Sequence, residues 1–424
     1  MNLPEAYLNR MKSQLGEDYP AYLAAMDQPE KRAARSNGLK LDRAALAELR
    51  PNFVPADGDG FLLPPLFAPG KDPLHAAGGY YVQELSAQVP ASLFDLTPAM
   101  AVLDLCAAPG GKSSQLAARV PQGVLFANEI VPNRANVLLG NLERMGVKNA
   151  VVTSMDPEKL VSLTGPVFDG VLVDAPCAGE GMFRKDPGAV REWSPEHVTA
   201  CARRQRAILT SAQRAVKPGG QLVYSTCSFS PAENEENVRW FLKEFPDFEL
   251  VEERHLYPHT SLGEGQYAAK LQRRGAAFDT AWFSPKSDRA PLIEAFLREE
   301  TTGLFESVGL SGSLRLLSDG RALLLPSLPC SLDGIRLLRA GLLLGETVKG
   351  RFVPAHALAM ASGGPLRQRV ELSEQDAHRY LHGETLPTNI SGWCTVTYAG
   401  LPLGLAKGAG GILKNHLPKG LRIN

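Results

Sequence analysis

The chain has 424 residues, of which 44% are hydrophobic and 21% charged; that length holds two or three domains with ample core, and that composition excludes a disordered or fibrous protein. Lys plus Arg number 45 and Asp plus Glu 45, so net charge gives no evidence for a polyanionic partner and only local patches can supply one. No run of about 18 apolar residues occurs and Met1–Tyr7 lacks the basic-then-apolar layout of a secretory leader, so a soluble, cytoplasmic protein is expected.

Residues 1–78 read as a small helical region followed by loops holding Pro51, Pro55, Pro64, Pro65 and Pro69. From about residue 100 to 228, apolar strands alternate with helices. Strands are expected at Ala101–Cys106, Gly123–Asn128, Ala150–Ser154, Gly170–Val173 and Gln221–Ser225, and helices at Lys112–Arg119, Asn133–Met145 and Thr199–Val216. Such alternation predicts a parallel, doubly wound α/β sheet. Tyr267–Gln272 would add an edge strand, so this unit is expected to span 79–275. A linker at 276–291 leads to a Leu- and Gly-rich mixed α/β region at 292–424.

The loop after the first strand, Cys106-Ala107-Ala108-Pro109-Gly110-Gly111-Lys112-Ser113, passes from small residues into a helix start. Glycines let backbone approach a ligand closely, and free amides at a helix start attract negative charge. The second strand ends in Asn128-Glu129, and a carboxylate there accepts the hydroxyls of a ribose. A nucleoside cofactor fits this pattern. The loop lacks the G-x-G-x-x-G of a dinucleotide site. It matches only the second half of a P-loop, with Cys106 in place of the first glycine. An ATPase reading rests on Gly111-Lys112-Ser113 and on the strand Val171–Asp174; S-adenosylmethionine needs only close backbone and an acid.

Six cysteines stand at 106, 177, 201, 227, 330 and 394, never as Cys-x-x-Cys, which argues against a zinc knuckle or a disulfide framework. Pro258 between His255 and His259 breaks the helical geometry a metal pair would use, so no metal is expected. Cys106, Cys201, Cys330 and Cys394 read as small buried hydrophobes. Cys177, in Asp174-Ala175-Pro176-Cys177, and Cys227, in Ser225-Thr226-Cys227, follow strands whose carboxyl ends face the ligand edge of such a sheet. Two thiols there suit a pyrimidine. Carbon 5 of cytosine is a poor nucleophile until a thiolate adds to carbon 6 and pushes electron density onto it. Asp174 can contact the ring nitrogen and exocyclic amine, a second thiol can assist release, and a base stacked in folded RNA has to be turned out. Chemistry alone does not divide the roles between the thiols.

These three segments, with Ala178-Gly179-Glu180-Gly181 after Cys177, resemble the motifs of the Nol/Nop/Sun RNA cytosine-5 methyltransferases. The likeness runs over most of the chain, on through Glu264–Tyr267 to Gly404–Arg422, and is greatest to bacterial members acting on small-subunit ribosomal RNA. It departs at Gly38, where Thr is usual, and at Leu85, where Pro is common. The resemblance implies a Rossmann-like S-adenosylmethionine methyltransferase domain, an N-terminal extension beside the cleft and a C-terminal PUA-like α/β domain that grips RNA. It implies Cys227 as nucleophile and Cys177 in product release, with Asp174 and Lys112 at the reacting centre. It maps the cofactor onto Cys106, Ala107, Ala108, Pro109, Gly110, Gly111 and Lys112, together with Glu129, Asp156 and Asp174. The implied partner is RNA, 16S ribosomal RNA or the small subunit itself. Transfer RNA is the alternative substrate, and an NTPase or a non-catalytic assembly factor the alternative class.

Ser230-Pro231-Ala232-Glu233 has the form of a capping box that opens a helix. Phe183 and Trp193 suit either core packing or base stacking. Arg203, Arg204, Arg206, Arg214 and Lys217, and the run Met182-Phe183-Arg184-Lys185, are candidate phosphate contacts. Residues 31–50 hold six Lys/Arg against two acids, and Lys407, Lys414, Lys419 and Arg422 lie in a tail without acids; such local excess at both ends is what a reader of folded RNA uses.

Overall fold

Alternating side chains along the central strands build two cores at once. The computed structural model describes residues 3–302, 312–364 and 366–423. Its central sheet holds β1 (Ala101–Asp104), β2 (Val124–Asn128), β3 (Ala150–Thr153), β4 (Phe168–Asp174), β5 (Val216–Thr226), β6 (Phe248–Leu256), β7 (Gln266–Arg273) and β8 (Leu337–Ala340). The spatial order is β6-β7-β5-β4-β1-β2-β3-β8. β1 to β5 run parallel, while β7 lies antiparallel to both β5 and β6, and β8 antiparallel to β3. Every residue of β1 and β2 is buried, as expected of parallel strands covered on both faces.

The helices that position the site are, in order, α1 (Glu5–Leu15), α2 (Tyr19–Met26), α3 (Gly111–Arg119), α4 (Pro132–Arg144), α5 (Pro157–Thr164), α6 (Pro195–Ala212) and α7 (Glu235–Glu244). Val102, Leu125, Leu172 and Val223 point to one face, against Leu116 of α3 and Leu138 of α4. Their neighbours Leu103, Phe126, Val171 and Leu222 point to the other, against Leu160 of α5, Leu209 of α6 and Phe241 of α7. The period of two fixes this division, and a one-residue slip would exchange the two faces.

Several local expectations change. The helix expected at Thr199–Val216 starts at Pro195, where Ser194 accepts from the His197 amide, and ends at Ala212; Val216 instead opens β5. The capping box at Ser230 caps no helix, because α7 begins at Glu235 after a series of turns. Strand β6, rich in exposed charge, and helix α5 lacked a periodic signal strong enough to place them.

N-terminal strands Ala33–Ser36, Val54–Pro55, Gly60–Leu62 and Tyr80–Val82 form a small sheet. Its Ala34, Phe61 and Tyr80 share one core with Tyr380, Val396 and Leu403. The C-terminal region carries a four-stranded and a five-stranded sheet and sends β8 to the edge of the central sheet. Helices α1 and α2 pack Tyr7 and Tyr22 among Phe183, Trp193 and Phe229. Those two N-terminal helices thus cover the loops that bear both cysteines.

Candidate active site

Strand order reverses between β1 and β4, and the crevice at such a switch point is where an open α/β sheet binds ligands. A cavity of about 690 Å³ opens there. Cys106 and Ala108 of the first loop, Glu129, Asp156 and Asp174 line it, and it extends to Cys177 and Cys227. Ala107, Pro109, Gly111 and Lys112 line an adjoining cavity of about 180 Å³. Gly110 lines neither. At φ +110° it turns the chain into α3, and a side chain there would meet Leu138 at 3.1 Å.

The loop is gripped from outside. Arg35, buried, donates to the Gly111 carbonyl at 3.0 Å and to Ser114 Oγ at 2.8 Å. Asn141 Nδ2 donates to the Pro109 carbonyl at 2.9 Å. Glu129 follows β2, buried; it accepts from the Val131 amide at 3.0 Å and pairs with Arg134 at 3.2 Å. Asp156 caps α5 through Oδ1, which accepts from the Glu158 and Lys159 amides.

This cavity fits an S-adenosyl nucleoside. It has the volume of a small-molecule site, apolar walls at Ile130, Pro157 and Ile208, and carboxylates at Glu129 and Asp156 for ribose hydroxyls. It does not fit a P-loop. Ser113, whose hydroxyl would face a phosphate-bound magnesium, is buried and donates to Asp104 Oδ2 at 2.6 Å. Burial pushes the Asp104 carboxyl up to about 7, and its Oδ1 is buried without a hydrogen-bond partner.

Asp174, the last residue of β4, is fixed from three sides. Its Oδ2 accepts from Lys112 Nζ at 2.8 Å, and its Oδ1 from Ser225 Oγ at 2.7 Å and Gln266 Nε2 at 3.2 Å. Burial alone would lower the Lys112 pKa, but the charge and hydrogen bond of Asp174 outweigh it and hold the ammonium above its ordinary value. The sulfurs of Cys177 and Cys227 stand 3.2 Å apart. That hydrogen bond, then burial, holds the Cys177 thiol well above its ordinary range, and either sulfur can act as the donor between them. Burial pushes Cys201, Cys330 and Cys394 up to about 11 and Cys106 higher still, which leaves them poor thiolates.

Two carboxylates escaped the sequence reading. Glu233 is fully buried and accepts from the Ala178 amide at 3.0 Å, Gln205 Nε2 at 2.7 Å and Ser228 Oγ at 2.6 Å. Glu180, also fully buried, accepts from Trp193 Nε1 at 2.7 Å, the Phe229 amide at 2.8 Å and Arg10 at 2.7 Å. The signal available in sequence was an acid close after each cysteine, and capping explained the second one too easily.

Most candidate phosphate contacts turn inward. Arg184 is buried against Glu264 at 2.6 Å and donates to the Ala25 carbonyl. Lys217 pairs with Asp169 at 2.5 Å and Arg206 donates to Asn237, whereas Arg214 is exposed and meets Glu158 at 3.6 Å on the surface. Arg203 and Arg204 remain exposed, and Arg204 borders the large cavity. Within residues 31–50, Arg32, Arg35, Lys40, Arg43 and Arg50 all hydrogen-bond within the protein. Phe183 and Trp193 are core residues. Among the described residues, no group of three or more His, Cys, Asp or Glu is placed to hold a metal ion.

Four family models match the chain. The model for 16S rRNA methyltransferase RsmB/F covers residues 91–272, and that for the N-terminal domain of RsmF covers 3–85. The first C-terminal domain of the RsmF rRNA methyltransferase matches 296–361, and the RsmF PUA domain 367–423. Ribosomal RNA small subunit methyltransferase F of Serratia proteamaculans (strain 568) is 33% identical over 464 residues, covering 99% of this chain and 96% of its own. The protein of the same name in Escherichia coli (strain K12) is 32% identical over 470 residues, with the same coverage. A solved methyltransferase homologue from Pyrococcus horikoshii aligns with TM-score 0.57 and 30% identity over 64% of this chain and 95% of that one. NSun6 from Pyrococcus horikoshii, solved with SFG, aligns with TM-score 0.57 over 64% of this chain and 99% of that one; at 22% identity it speaks for the fold.

Proposed function

The chain belongs to the RsmF family of S-adenosylmethionine-dependent ribosomal RNA methyltransferases, and on that premise we propose that it methylates carbon 5 of cytosine in 16S ribosomal RNA through a covalent adduct with Cys227. The observation that carries this reading is the thiol pair at the mouth of the cofactor cavity, beside the Asp174–Lys112 ion pair. Glu129, Asp156, Asp174 and the 106–112 loop would hold S-adenosylmethionine, which when bound would supply a sulfonium methyl group.

The Cys227 sulfur forms a bond to carbon 6, and electron density moves onto carbon 5 and the ring nitrogen. Asp174, fixed by three donors, faces the ring nitrogen and amine, and the Lys112 ammonium balances the anionic sulfur. Carbon 5 takes the methyl group as the donor's carbon–sulfur bond breaks. Solvent water takes the proton from carbon 5, its electron pair re-forms the carbon 5–carbon 6 double bond, and the carbon 6–sulfur bond breaks, which returns the Cys227 sulfur and the aromatic ring. Cys177 donates to the departing sulfur and stabilises it as a leaving group. A thiol held above its ordinary range suits this task, and the family's Pro-Cys and Thr-Cys motifs support the same division of roles by likeness. The exposed lysines of the PUA domain, Lys407, Lys414 and Lys419, supply RNA contacts, and the substrate is expected where ribosomal subunits assemble, in the cytoplasm.

The test is a denaturing gel of protein incubated with 16S RNA and S-adenosylmethionine. Cys227→Ala abolishes methyl transfer and shows no adduct, while Cys177→Ala accumulates a slow-moving protein–RNA band. The opposite pattern exchanges the roles of the two thiols.

A further inference from the structure

We propose that Gln205 and Glu233 are positioning residues that clamp the Cys177 peptide from both sides and thereby set the rate of product release. This rests on the role given above to Cys177. Gln205 Nε2 donates to the Pro176 carbonyl at 3.0 Å, and the Ala178 amide donates to Glu233 Oε2 at 3.0 Å. The same Gln205 Nε2 donates to that Glu233 oxygen at 2.7 Å, which closes the clamp around Cys177. Both side chains are fully buried. Asn237, also buried, orients Gln205 by donating to its Oε1 at 2.9 Å.

The two thiols are held very differently. Cys227 follows directly on β5, whose last residues pair with β7 as far as Thr226 opposite Tyr267. Its carbonyl accepts from the Gly181 amide at 2.7 Å, and Thr226 Oγ1 donates to Asn234 Oδ1 at 2.6 Å. Cys177 lies three residues beyond the end of β4, in a loop with no sheet register of its own. The Ala175 amide still donates to the Ser225 carbonyl at 2.9 Å, and after it the clamp takes over. Removing the clamp therefore displaces Cys177 more than Cys227. A misplacement of about 1 Å costs on the order of 10²-fold in rate, and it falls on release rather than on adduct formation.

The chemistry of the clamp permits a conservative rescue. In Glu233→Gln, the amide oxygen can still accept from Ala178 and Gln205, while the Ser228 hydroxyl turns to accept from the new amide nitrogen. Gln205→Ala removes two of the clamp's three hydrogen bonds, leaving that of the Ala178 amide to Glu233, and introduces no new charge.

The experiment follows adduct formation and decay in single turnover with 16S RNA and S-adenosylmethionine, with calorimetric binding of S-adenosylhomocysteine as the control for folding. Gln205→Ala is expected to form the adduct within about 3-fold of the native rate and to release it on the order of 10²-fold more slowly. Glu233→Gln is expected to release it at close to the native rate. Should Gln205→Ala fail to bind S-adenosylhomocysteine, Gln205→Met, which keeps the volume, carries the same test. Equal slowing of formation and release, or native release by the Gln205 variant, overturns the clamp. If Cys177→Ala itself builds up no adduct, the role given to Cys177 is what fails.

Discussion

The sulfur atoms of Cys177 and Cys227, fifty residues apart in the chain, meet at 3.2 Å. Parallel pairing of β4 and β5 brings them there, since Asp174 stands opposite Ser225 and each cysteine follows shortly after. The same register lets Ser225 Oγ donate to Asp174, so the Cys227 loop and the Asp174 carboxylate are set by one pair of strands.

Asp174→Asn keeps the shape of that carboxylate and removes its charge. The ion pair with Lys112 is lost, as is the proposed hydrogen bonding of the carboxylate to the exocyclic amine of the adduct. Turnover on 16S RNA should fall by about 10²- to 10³-fold, with S-adenosylhomocysteine affinity reduced far less. Steady-state rates and calorimetry separate the two effects; equal losses in both would make Asp174 chiefly a cofactor ligand.

Glu129→Gln tests the proposal that Glu129 accepts from the ribose. Hydrogen bonds to a charged group contribute about 1.5–3 kcal/mol each, so S-adenosylhomocysteine should bind roughly 10- to 100-fold more weakly by calorimetry. Unchanged affinity would remove Glu129 from the cofactor site.

Asp104 gives a pH signature. In the unfolded chain its carboxyl ionises near the ordinary aspartate value of about 4, and in the fold at about 7. The folded state therefore binds more protons in that window, and this group's contribution to stability, fully present below the lower value, is lost as pH rises through the upper one. Asp104→Asn stays neutral throughout. Its unfolding free energy relative to the native chain should improve by about 1–4 kcal/mol between pH 4.5 and pH 8. Urea titrations at both values measure this, and a pH-independent difference refutes it.

Much of this was legible in the sequence, for a physical reason. Parallel strands buried on both faces are continuous apolar runs, and the loops at their carboxyl ends converge on one crevice wherever strand order reverses. Glu129, Asp174 and both cysteines could be placed together on that ground, while Asp156 came only from the family resemblance. What escaped depends on contacts between distant segments. Glu233 meets the Ala178 amide 55 residues away, and Arg35 meets the Gly111 carbonyl 76 residues away. No periodicity encodes such a meeting. A capping box and a basic stretch were the local readings of residues whose partners lie elsewhere in the fold.

Basic charge stays on the surface at Arg203 and Arg204 and again toward the C-terminus. Lys407, over the Trp393 ring at 5.0 Å, and Lys414 are exposed. Each phosphate left without its neutralising cation lowers the slope of log affinity against log salt by about 0.7–0.9. Replacing both lysines by alanine should therefore flatten RNA binding by roughly 1.5 in slope. A slope identical to the native one would mean that RNA passes elsewhere.

The most direct measurement is nucleoside mass spectrometry of 16S RNA after incubation with S-adenosylmethionine and either the native chain or the Cys177→Ser, Cys227→Ser double variant. Native protein should produce 5-methylcytidine and the double variant none, while both bind S-adenosylhomocysteine. Methylated cytidine in the variant's RNA would contradict a covalent sulfur–pyrimidine route.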